Sequence, residues 1–264
     1  MRSRTEPSQG EPSRAAGALA RYLPIGVLLL AWELVTRLGW VNPFVFPPVS
    51  EILLRWIALI GDGSMFTPLK DTLWRALTGL AGAIAVGVPL GILMGRQRWA
   101  EWFFEPLFSF AFPLPKIALI PLFVQWFGLF DLSKVMLIFT DCLFPLVVFS
   151  YHGAKGVSPI YVWSAQARGA SRWRVLRRVV LPMALASVYD GVLVAVVVAL
   201  LVAVVTEMVS GGSGLGQTMI RAYRYGDVRT AFATLLTISL IGAALYRVAQ
   251  ALRGRFLSWH VGEA

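Results

Sequence analysis

Apolar segments of similar length alternate with short polar segments along most of the chain. A helix needs about 20 apolar residues to cross the hydrocarbon core of a bilayer, and six segments approach that length. They occupy residues 22–41, 72–95, 103–127, 132–152, 183–209 and 228–250. The pattern predicts an all-α integral membrane protein with six transmembrane helices, in a transmembrane domain that covers residues 21–264.

Residues 1–20 lack this apolar pattern. They are rich in Ser, Pro, Gly, Arg and Glu, a composition that cannot bury a hydrophobic core, and so they predict a disordered cytosolic tail. The apolar stretch that follows has no clear small-residue cleavage site of the kind that ends a signal peptide. We therefore expect it to be retained as the first helix.

The composition supports the membrane assignment. Of the 264 residues, 57% are hydrophobic and only 14% are charged, whereas a soluble domain carries roughly 25% charged residues. The formal net charge is +10, but the basic residues flank membrane-length segments, as expected for membrane topology and contact with lipid headgroups. The charge therefore does not indicate a nucleic-acid partner.

Lys and Arg are unevenly distributed among the polar connections. They are in excess in the tail, in residues 95–102, in the long connection 153–182 and in the C-terminal segment, whereas Asp residues partly balance them in the other connections. Because cytoplasmic loops carry the excess of Lys and Arg, both termini are predicted to be cytoplasmic. The expected location is the cell (inner) membrane, with multiple passes.

Small residues recur at every fourth position of the second predicted span. This spacing places them on one face of a helix, where a neighbouring backbone can approach closely. The pattern predicts a tight helix contact and no particular chemistry. The residues are Gly79, Ala83, Gly87, Gly91 and Gly95.

Five arginines and no acidic residue lie in "ARGASRWRVLRRVVLP", residues 167–182. Each arginine at the bilayer centre costs about 2.5–3.5 kcal/mol, so this stretch is predicted to lie in the cytosol. Apolar residues at helical spacing predict two short helices that are broken near Gly169, with a boundary before the fifth span at Pro182. The basic amphipathic helix has two interpretations, a docking site for a partner or a helix lying among lipid headgroups.

Prolines and ionisable residues within the predicted spans mark a candidate translocation path. The segment "FPLPKIALIP" (112–121) is either a hinge or path-lining element, or a simple kink. Lys116 either attracts an anionic substrate, or reaches the interface or pairs with Asp141. The candidate path residues are Pro113, Pro115, Lys116, Asp141 and Glu207.

Sequence motifs for enzymatic chemistry are missing. The chain has no G-x-x-x-x-G-K-[ST] phosphate-binding loop, and "GGSGLG" (211–216) is interpreted as a turn. His152, His260 and Cys142 show no metal-site or catalytic-triad spacing, so neither a metal site nor a catalytic residue is predicted. An integral membrane enzyme and a secondary transporter remain alternative functions for the chain.

The arginine-rich connection resembles the cytoplasmic signature of importer-type ABC transporter permeases. That signature has Glu-Ala-Ala, three residues, Gly, nine residues and an Ile-x-Leu-Pro ending. Here Trp163, Ser164 and Ala165 precede Gly169, and Leu181-Pro182 closes the segment with the same spacing. The residue at the position of the signature glutamate is Trp163. The chain is similar to the aliphatic sulfonate, taurine and nitrate permeases also in "FPPVSEIL" (46–53), "PLPKIALIPLFVQWFG" (113–128), "LSKVML" (132–137) and "TEMVSGGSGLGQTM" (206–219).

The resemblance implies a permease that moves a small anion or zwitterion inward by alternating access. It implies two ATP-binding subunits, a second copy of the permease, and a periplasmic or extracellular solute-binding protein. ATP and Mg would be bound by the ATPase, so no cofactor is expected in this chain. The coupling residues that it implies are Trp163, Ser164, Ala165, Arg168, Gly169, Ala170, Ser171, Arg172, Leu181 and Pro182.

Overall fold

The computed structural model describes residues 14–111 and 113–256, with side chains described between Leu23 and Arg255 apart from position 112. All regular structure in this part of the chain is helical, as predicted. The helices are α1 (Arg14–Arg37), α2 (Val49–Gly61), α3 (Phe66–Arg96), α4 (Arg98–Ala111), a 3-10 turn (Lys116–Leu119), α5 (Ile120–Phe127), α6 (Asp131–Lys155), α7 (Pro159–Ala167), α8 (Arg172–Val175), a π turn (Leu176–Val180), α9 (Leu181–Ser210), α10 (Leu215–Arg224) and α11 (Val228–Phe256).

Four helical segments of the described chain are long and apolar enough to span a membrane. They are α3, α6, the continuous helix Arg172–Ser210 and residues Val228–Arg255 of α11; a fifth is added if the bent pair of α4 and residues Lys116–Phe127 forms one span. The first predicted span, 22–41, corresponds to α1, which is not among these segments. The predicted count of six is therefore not confirmed.

The first helix begins and ends earlier than predicted. It starts at Arg14, within the segment assigned to the tail, while residues 1–13 lie outside the described chain. It ends at Arg37 and not near residue 41, because Gly39 adopts a positive φ of 75° and such a left-handed residue terminates a helix. Two short helices between predicted spans, α2 and α10, are not anticipated by the sequence pattern.

The third predicted span, residues 103–127, is not a single helix. Helix α4 already begins at Arg98, and the chain turns by 86° between α4 and the helical segment that starts at Lys116. Pro113 and Pro115 lie in this bend and are exposed. Proline has no N–H to donate and blocks helical continuation, so the bend is a break in the helix and larger than a simple kink.

The predicted helix boundary before Pro182 is wrong. Residues Arg172–Ser210 form one continuous helix of 39 residues, which we call the long helix. The turn that precedes the proline is a π turn, in which the N–H of Leu181 donates to the carbonyl of Leu176. This wider turn gives the proline ring room that an α turn does not. The second of the two predicted short helices is therefore the start of the long helix.

Three helices, α3, α6 and α9, form the centre of the bundle. Their shared core includes Leu80, Leu137, Ile138, Leu146 and Val202. A second apolar cluster joins α2 to α11 and to the start of α10 through Ile52, Leu59, Leu215 and Ala233. The central helices therefore run between two opposite ends of the bundle, which differ in their polar structure.

One end carries residues 156–180 and the C-terminal turns of α3 and α6; we call it the arginine end. The other end carries residues 211–227 and the N-terminal turns of α3 and α6; we call it the glycine-loop end. Contacts define both: Ile92 and Ala154 pack against Val175 at the arginine end, whereas Arg75 bonds to Ser213 at the glycine-loop end.

The predicted stripe of small residues on α3 faces α6. A Cβ atom added at Gly79, Gly87, Gly91 or Gly95 would come within 3.1 Å of an α6 atom, and Ala83 is fully buried in the central core. At Gly91 it would lie 2.5 Å from the carbonyl oxygen of Val147, a backbone atom that cannot rotate away. The tight contact predicted from the sequence is confirmed.

The glycine contact predicts the effect of a single methyl group. We expect Gly91→Ala to lower the free energy of unfolding by about 1–3 kcal/mol, because α3 and α6 must move apart to relieve the overlap. Gly254→Ala is the matched control: Gly254 lies in α11 with no atom within 4 Å of the added Cβ, and alanine favours a helix over glycine by about 1 kcal/mol. Unfolding midpoints of the purified protein measure both. Equal midpoints for the two variants would contradict the tight packing.

Candidate functional site

The arginine end is built on a helical hairpin, residues 158–180, in which α7 is followed by the start of the long helix. Gly169 has a φ of 78°, a conformation that disfavours any side chain. Its N–H donates to the carbonyl of Gln166 at 2.8 Å, and the N–H of Ala170 donates to the carbonyl of Ala165 at 3.1 Å. These bonds satisfy the last carbonyls of α7. The break predicted at Gly169 is therefore present.

The second arm of the hairpin begins with a capped helix. The Ser171 hydroxyl accepts a hydrogen bond from the N–H of Arg174 at 3.4 Å, and serine is a preferred residue at this position. Because the helix then continues through Leu181 and Pro182, both half-buried, the hairpin is continuous with α9.

Apolar residues hold the hairpin against the central bundle. Val162 of α7 and Val175 of α8 are buried, and they belong to one cluster with Ile92 of α3, Ala154 of α6 and Ala184 of α9. The half-buried Ala165 and Ala170 pack against the same cluster. The hairpin is thus fastened to three helices at once.

The outer surface of the hairpin combines large apolar side chains with arginines. Trp163 and Trp173 are 65% and 68% exposed, and Ile160 and Tyr161 are exposed beside them. All five arginines of the run are exposed, and within the described residues none lies within 4 Å of a carboxylate. Exposed patches of this kind mark interaction sites, and Trp, Tyr and Arg are the residue types most enriched in protein interfaces.

The polar candidates of the path lie in two separate ion pairs. Lys116, at the bend after α4, has its Nζ 3.6 Å from Oδ1 of Asp141 on α6 and 4.1 Å from the centre of the Phe144 ring. Of the alternatives considered for Lys116, pairing with Asp141 is the one observed. Glu207 does not join this pair; it lies near the glycine-loop end and pairs with Arg75 of α3.

Glu207 is fully buried, and its carboxylate accepts several hydrogen bonds. Nη1 of Arg75 donates to it at 2.7 Å, the N–H of Gly216 at 3.0 Å and the Thr72 hydroxyl at 2.9 Å. Its neighbour Gly214 has a φ of 116°, and a Cβ there would overlap the carboxylate. Burying a charge is costly unless it is paired and hydrogen-bonded, and these donors meet that condition.

Arg75 of α3 also bonds to the glycine-rich loop and to α6. Its Nη1 and Nη2 donate to the carbonyl and hydroxyl of Ser213 at 2.7 and 2.8 Å, and its Nε donates to Asp131 of α6 at 2.8 Å. Beside it, Nζ of Lys134 donates to the carbonyl of Gly211 at 2.7 Å. The loop "GGSGLG" is therefore a turn, as interpreted from the sequence, whose backbone is held by two buried cations.

Sequence reasoning identified Glu207 but missed Arg75, Thr72 and Ser213. A signal for Arg75 was present, because an arginine inside a predicted span indicates a function or a specific partner by default. The choice of Glu207 as that partner could not be read from the sequence, since 132 residues separate the two.

A further polar contact joins α2 to the start of α11. Burial opposes ionisation of Asp227, but hydrogen bonds from the Thr230 hydroxyl and N–H, at 2.6 and 3.1 Å, and the nearby charge of Arg55 lower the pKa of this carboxyl below its ordinary value. The lowered pKa means that this contribution to stability is present at neutral pH and is lost as the pH falls through the folded-state pKa.

Groups suited to metal binding are not found among the described residues, where no three His, Cys, Asp or Glu side chains cluster. His152 lies on α6 against Tyr151, Cys142 is buried, and His260 lies outside the described chain. The candidate site therefore has three parts: the hairpin with its exposed aromatic and arginine side chains, the break after α4, and the glycine-rich turn held by Arg75 and Lys134.

Comparison with known proteins identifies the family. The model of the binding-protein-dependent transport system inner membrane component matches residues 87–258, well over half of the chain. The chain belongs to this family. It is the permease subunit of an ABC importer, a transport subunit of the inner membrane, in a family whose members work with ATPase subunits and a binding protein.

Curated permeases resemble this permease over nearly its whole length. The taurine transport system permease protein TauC of Escherichia coli K12 is 30% identical, over 89% of this chain and 88% of its own. The formylaminopyrimidine transport permease protein ThiX of Halalkalibacterium halodurans is 31% identical, over 93% and 98%. A solved structure of the MetNI methionine ABC transporter in an inward facing conformation has a TM-score of 0.62 at 14% identity, covering 72% of this chain and 94% of its own, and so shares the fold.

The buried ion pair of the permease predicts a large effect of one substitution. We expect Arg75→Met to lower the free energy of unfolding by about 3–5 kcal/mol, because it leaves the Glu207 carboxylate buried without its cation. The control is Arg253→Met, which removes a half-exposed partner of Asp190 and should cost under about 1 kcal/mol. Denaturant unfolding in detergent compares the two variants. Similar losses in both would show that the buried cluster contributes no more than a surface pair.

Proposed function

We propose that this permease moves a small anion or zwitterion, such as a sulfonate, taurine or nitrate, into the cell by alternating access. Two copies form the path, and two separate ATPase subunits bind ATP and Mg and dock on the hairpins at the arginine end. A periplasmic or extracellular binding protein delivers the solute at the glycine-loop end. The arginine end then faces the cytosol, as do both termini.

The observation that carries this proposal is the exposed surface of the hairpin. The hairpin is packed against the bundle and exposes two tryptophans and five arginines. None of these arginines has a carboxylate partner in the described chain. Such a surface is typical of a contact site for a partner. The partner's expected chemistry follows: an apolar groove for Trp163 and Trp173, bordered by acidic side chains for Arg168, Arg172 and Arg174. Arg177 and Arg178 lie further along the long helix and suit lipid phosphates.

Trp163 replaces the glutamate of the signature, and its exposure gives it a specific role. An exposed indole contributes contact area that a glutamate does not. We infer that this permease anchors its ATPase by apolar contact at the position where the signature has a charge. Arg168, Arg172 and Arg174 nearby supply the polar component.

The continuous long helix supports a direct mechanism of coupling. A displacement of the hairpin by the ATPase acts on α9 without a flexible joint, because the helix runs through Pro182. The resulting tilt of α9 would pass to α6, which packs against it. The tight contact of α6 with α3 would then pass the movement to the rest of the core. The broken segment with Pro113 and Pro115 and the Lys116–Asp141 pair is the proposed element of the path that responds.

The substrate class rests on the relatives. Taurine and aliphatic sulfonates are named for two of them, and a formylaminopyrimidine for a third. Lys116 lies at the bend with Asp141 as its partner, so an anionic group of a solute would compete with Asp141 for this cation. Dependence of uptake on ATP separates this function from a secondary transporter or a membrane enzyme.

The hairpin surface is tested by truncating one tryptophan. We expect Trp163→Ala to weaken binding of the ATPase subunit at least about 10-fold and to lower ATP-driven uptake, since exposed aromatic anchors dominate interfaces. Trp74→Ala is the matched control, because Trp74 is 64% exposed on α3 near the opposite end. Co-purification and uptake into vesicles are the measurements. Undiminished ATPase binding in Trp163→Ala would remove the hairpin from the interface.

The orientation is tested with single cysteines at Ser64 and Arg172, which are both exposed, after Cys142→Ala. We expect a membrane-impermeant thiol reagent added to intact cells to label position 64 and not position 172. In disrupted cells both positions should react. Labelling of position 172 alone in intact cells would reverse the orientation.

A further inference from the structure

A cavity of about 490 Å³ lies between α3, α4 and α6 towards the arginine end. Sites for small organic molecules usually have volumes of about 300–1,000 Å³. Its lining residues come from the last turn of α3 and from the second halves of α4 and α6. They are Met94, Glu105, Phe108, Ser109, Val147, Val148, Tyr151 and His152.

The carboxylate of Glu105 gives the cavity its charge. It accepts a hydrogen bond from the Ser109 hydroxyl at 2.9 Å, and no Lys or Arg of the described chain forms an ion pair with it. Glu101, one turn earlier on α4, differs: Lys155 lies 2.5 Å from its carboxylate, and the Tyr151 hydroxyl donates to it at 2.7 Å. Lys155 is therefore paired with Glu101 and not with Glu105.

Apart from the Tyr151 hydroxyl and the exposed His152 ring, the remaining walls are apolar and reach towards the bend after α4. Phe108 contacts Phe144 edge to face, with ring centres 5.2 Å apart, and Lys116 of the ion pair lies over the same Phe144 ring. Asp141, Phe144, Val148 and His152 are spaced by three or four residues on α6, which places them on one helix face. The cavity therefore continues the face of α6 that carries the candidate path.

We propose that this cavity binds the ammonium group and short apolar body of a small organic solute, with Glu105 as the counter-ion and Phe108 and Val148 as the apolar wall. Glu105 is exposed at the edge of the cavity, where its carboxylate can pair with an ammonium group whose apolar body lies against Phe108 and Val148. The inference rests on the proposed transport function and narrows its substrate class. The permease accepts solutes that carry a positive group, zwitterions included, in preference to simple anions.

The test measures charge selectivity at one engineered thiol. Val148→Cys is made in the Cys142→Ala chain, expressed with its ATPase partner and reconstituted in phosphatidylglycerol nanodiscs. The probes are a cationic reagent, methanethiosulfonate ethyltrimethylammonium, and an anionic one, methanethiosulfonate ethylsulfonate. We expect the cationic reagent to react at least about 10-fold faster after normalisation to a free thiol, because of the Glu105 charge.

Glu105→Gln should bring this rate ratio close to one. Glu51→Gln, the same chemical change on α2, is the control and should leave the ratio unchanged. A second measurement is protection of the thiol from a neutral reagent: n-butylammonium should protect it, butanesulfonate should not, and Glu105→Gln should abolish the protection.

Three outcomes would overturn the proposal. One is the same rate ratio with and without Glu105. Another is a thiol that reacts only after denaturation, which means that lipid or a second copy fills the cavity. The third is protection of the thiol, with no amine added, in phosphatidylethanolamine nanodiscs but not in phosphatidylglycerol nanodiscs. That result would identify a lipid headgroup as the ligand. None of these readouts involves ATPase binding, so failure here is distinguishable from failure of the Trp163→Ala test.

Discussion

The close approach of α3 and α6 determines how the rest of the bundle can be arranged. Glycines at four positions of α3 remove the side chains that would otherwise separate the two backbones. At one end this approach places Arg75 within reach of Asp131 and Glu207. At the other end it brings Ile92 and Ala154 together as the base on which the hairpin packs. The Arg75 cluster and the apolar base of the hairpin therefore depend on the same line of small residues.

The cations that hold the glycine-rich turn and the arginines of the hairpin differ in burial and pairing. At the glycine-loop end, Arg75 and Lys134 are buried and bonded to carboxylate or backbone oxygens, whereas Arg221 and Arg224 of α10 are exposed. At the arginine end, the five arginines of the run are exposed and form no ion pair within the described chain. A buried ion pair holds its geometry because breaking it is expensive, whereas an exposed arginine is free to bind an external acid. The glycine-loop end thus contains a buried cluster of charges that the chain completes by itself, whereas the arginines of the hairpin are available to a partner.

The sequence predicted what depends on local pattern. Apolar length located α3, α6, α9 and α11, the small-residue period predicted the face that α3 presents to α6, and Gly169 marked a real break. The failures have physical causes. Pro182 was read as a boundary because sequence rules treat proline as a helix breaker, and a π turn accommodates it. Prolines predict a break but not its angle of 86°, because α4 packs with Met94 and Val147 while α5 packs in the central core. The partners of Glu207 lie far away along the chain, and no local pattern encodes such a contact.

The π turn has a geometric consequence for the hairpin. Each residue of an α-helix advances the azimuth by about 100°, and a π turn acts as one residue inserted into the helix without breaking it. The direction in which Trp173 and the arginines point, relative to the buried face of α9, is therefore set by helical phase and not by a hinge. Lengthening or shortening the long helix by one residue would rotate Trp173 and the arginines by about 100° relative to Glu207, and Val175 would then no longer face Ile92 and Ala154. The number of residues between Ser171 and Glu207 therefore fixes the angle between the exposed face of the hairpin and the buried face of α9.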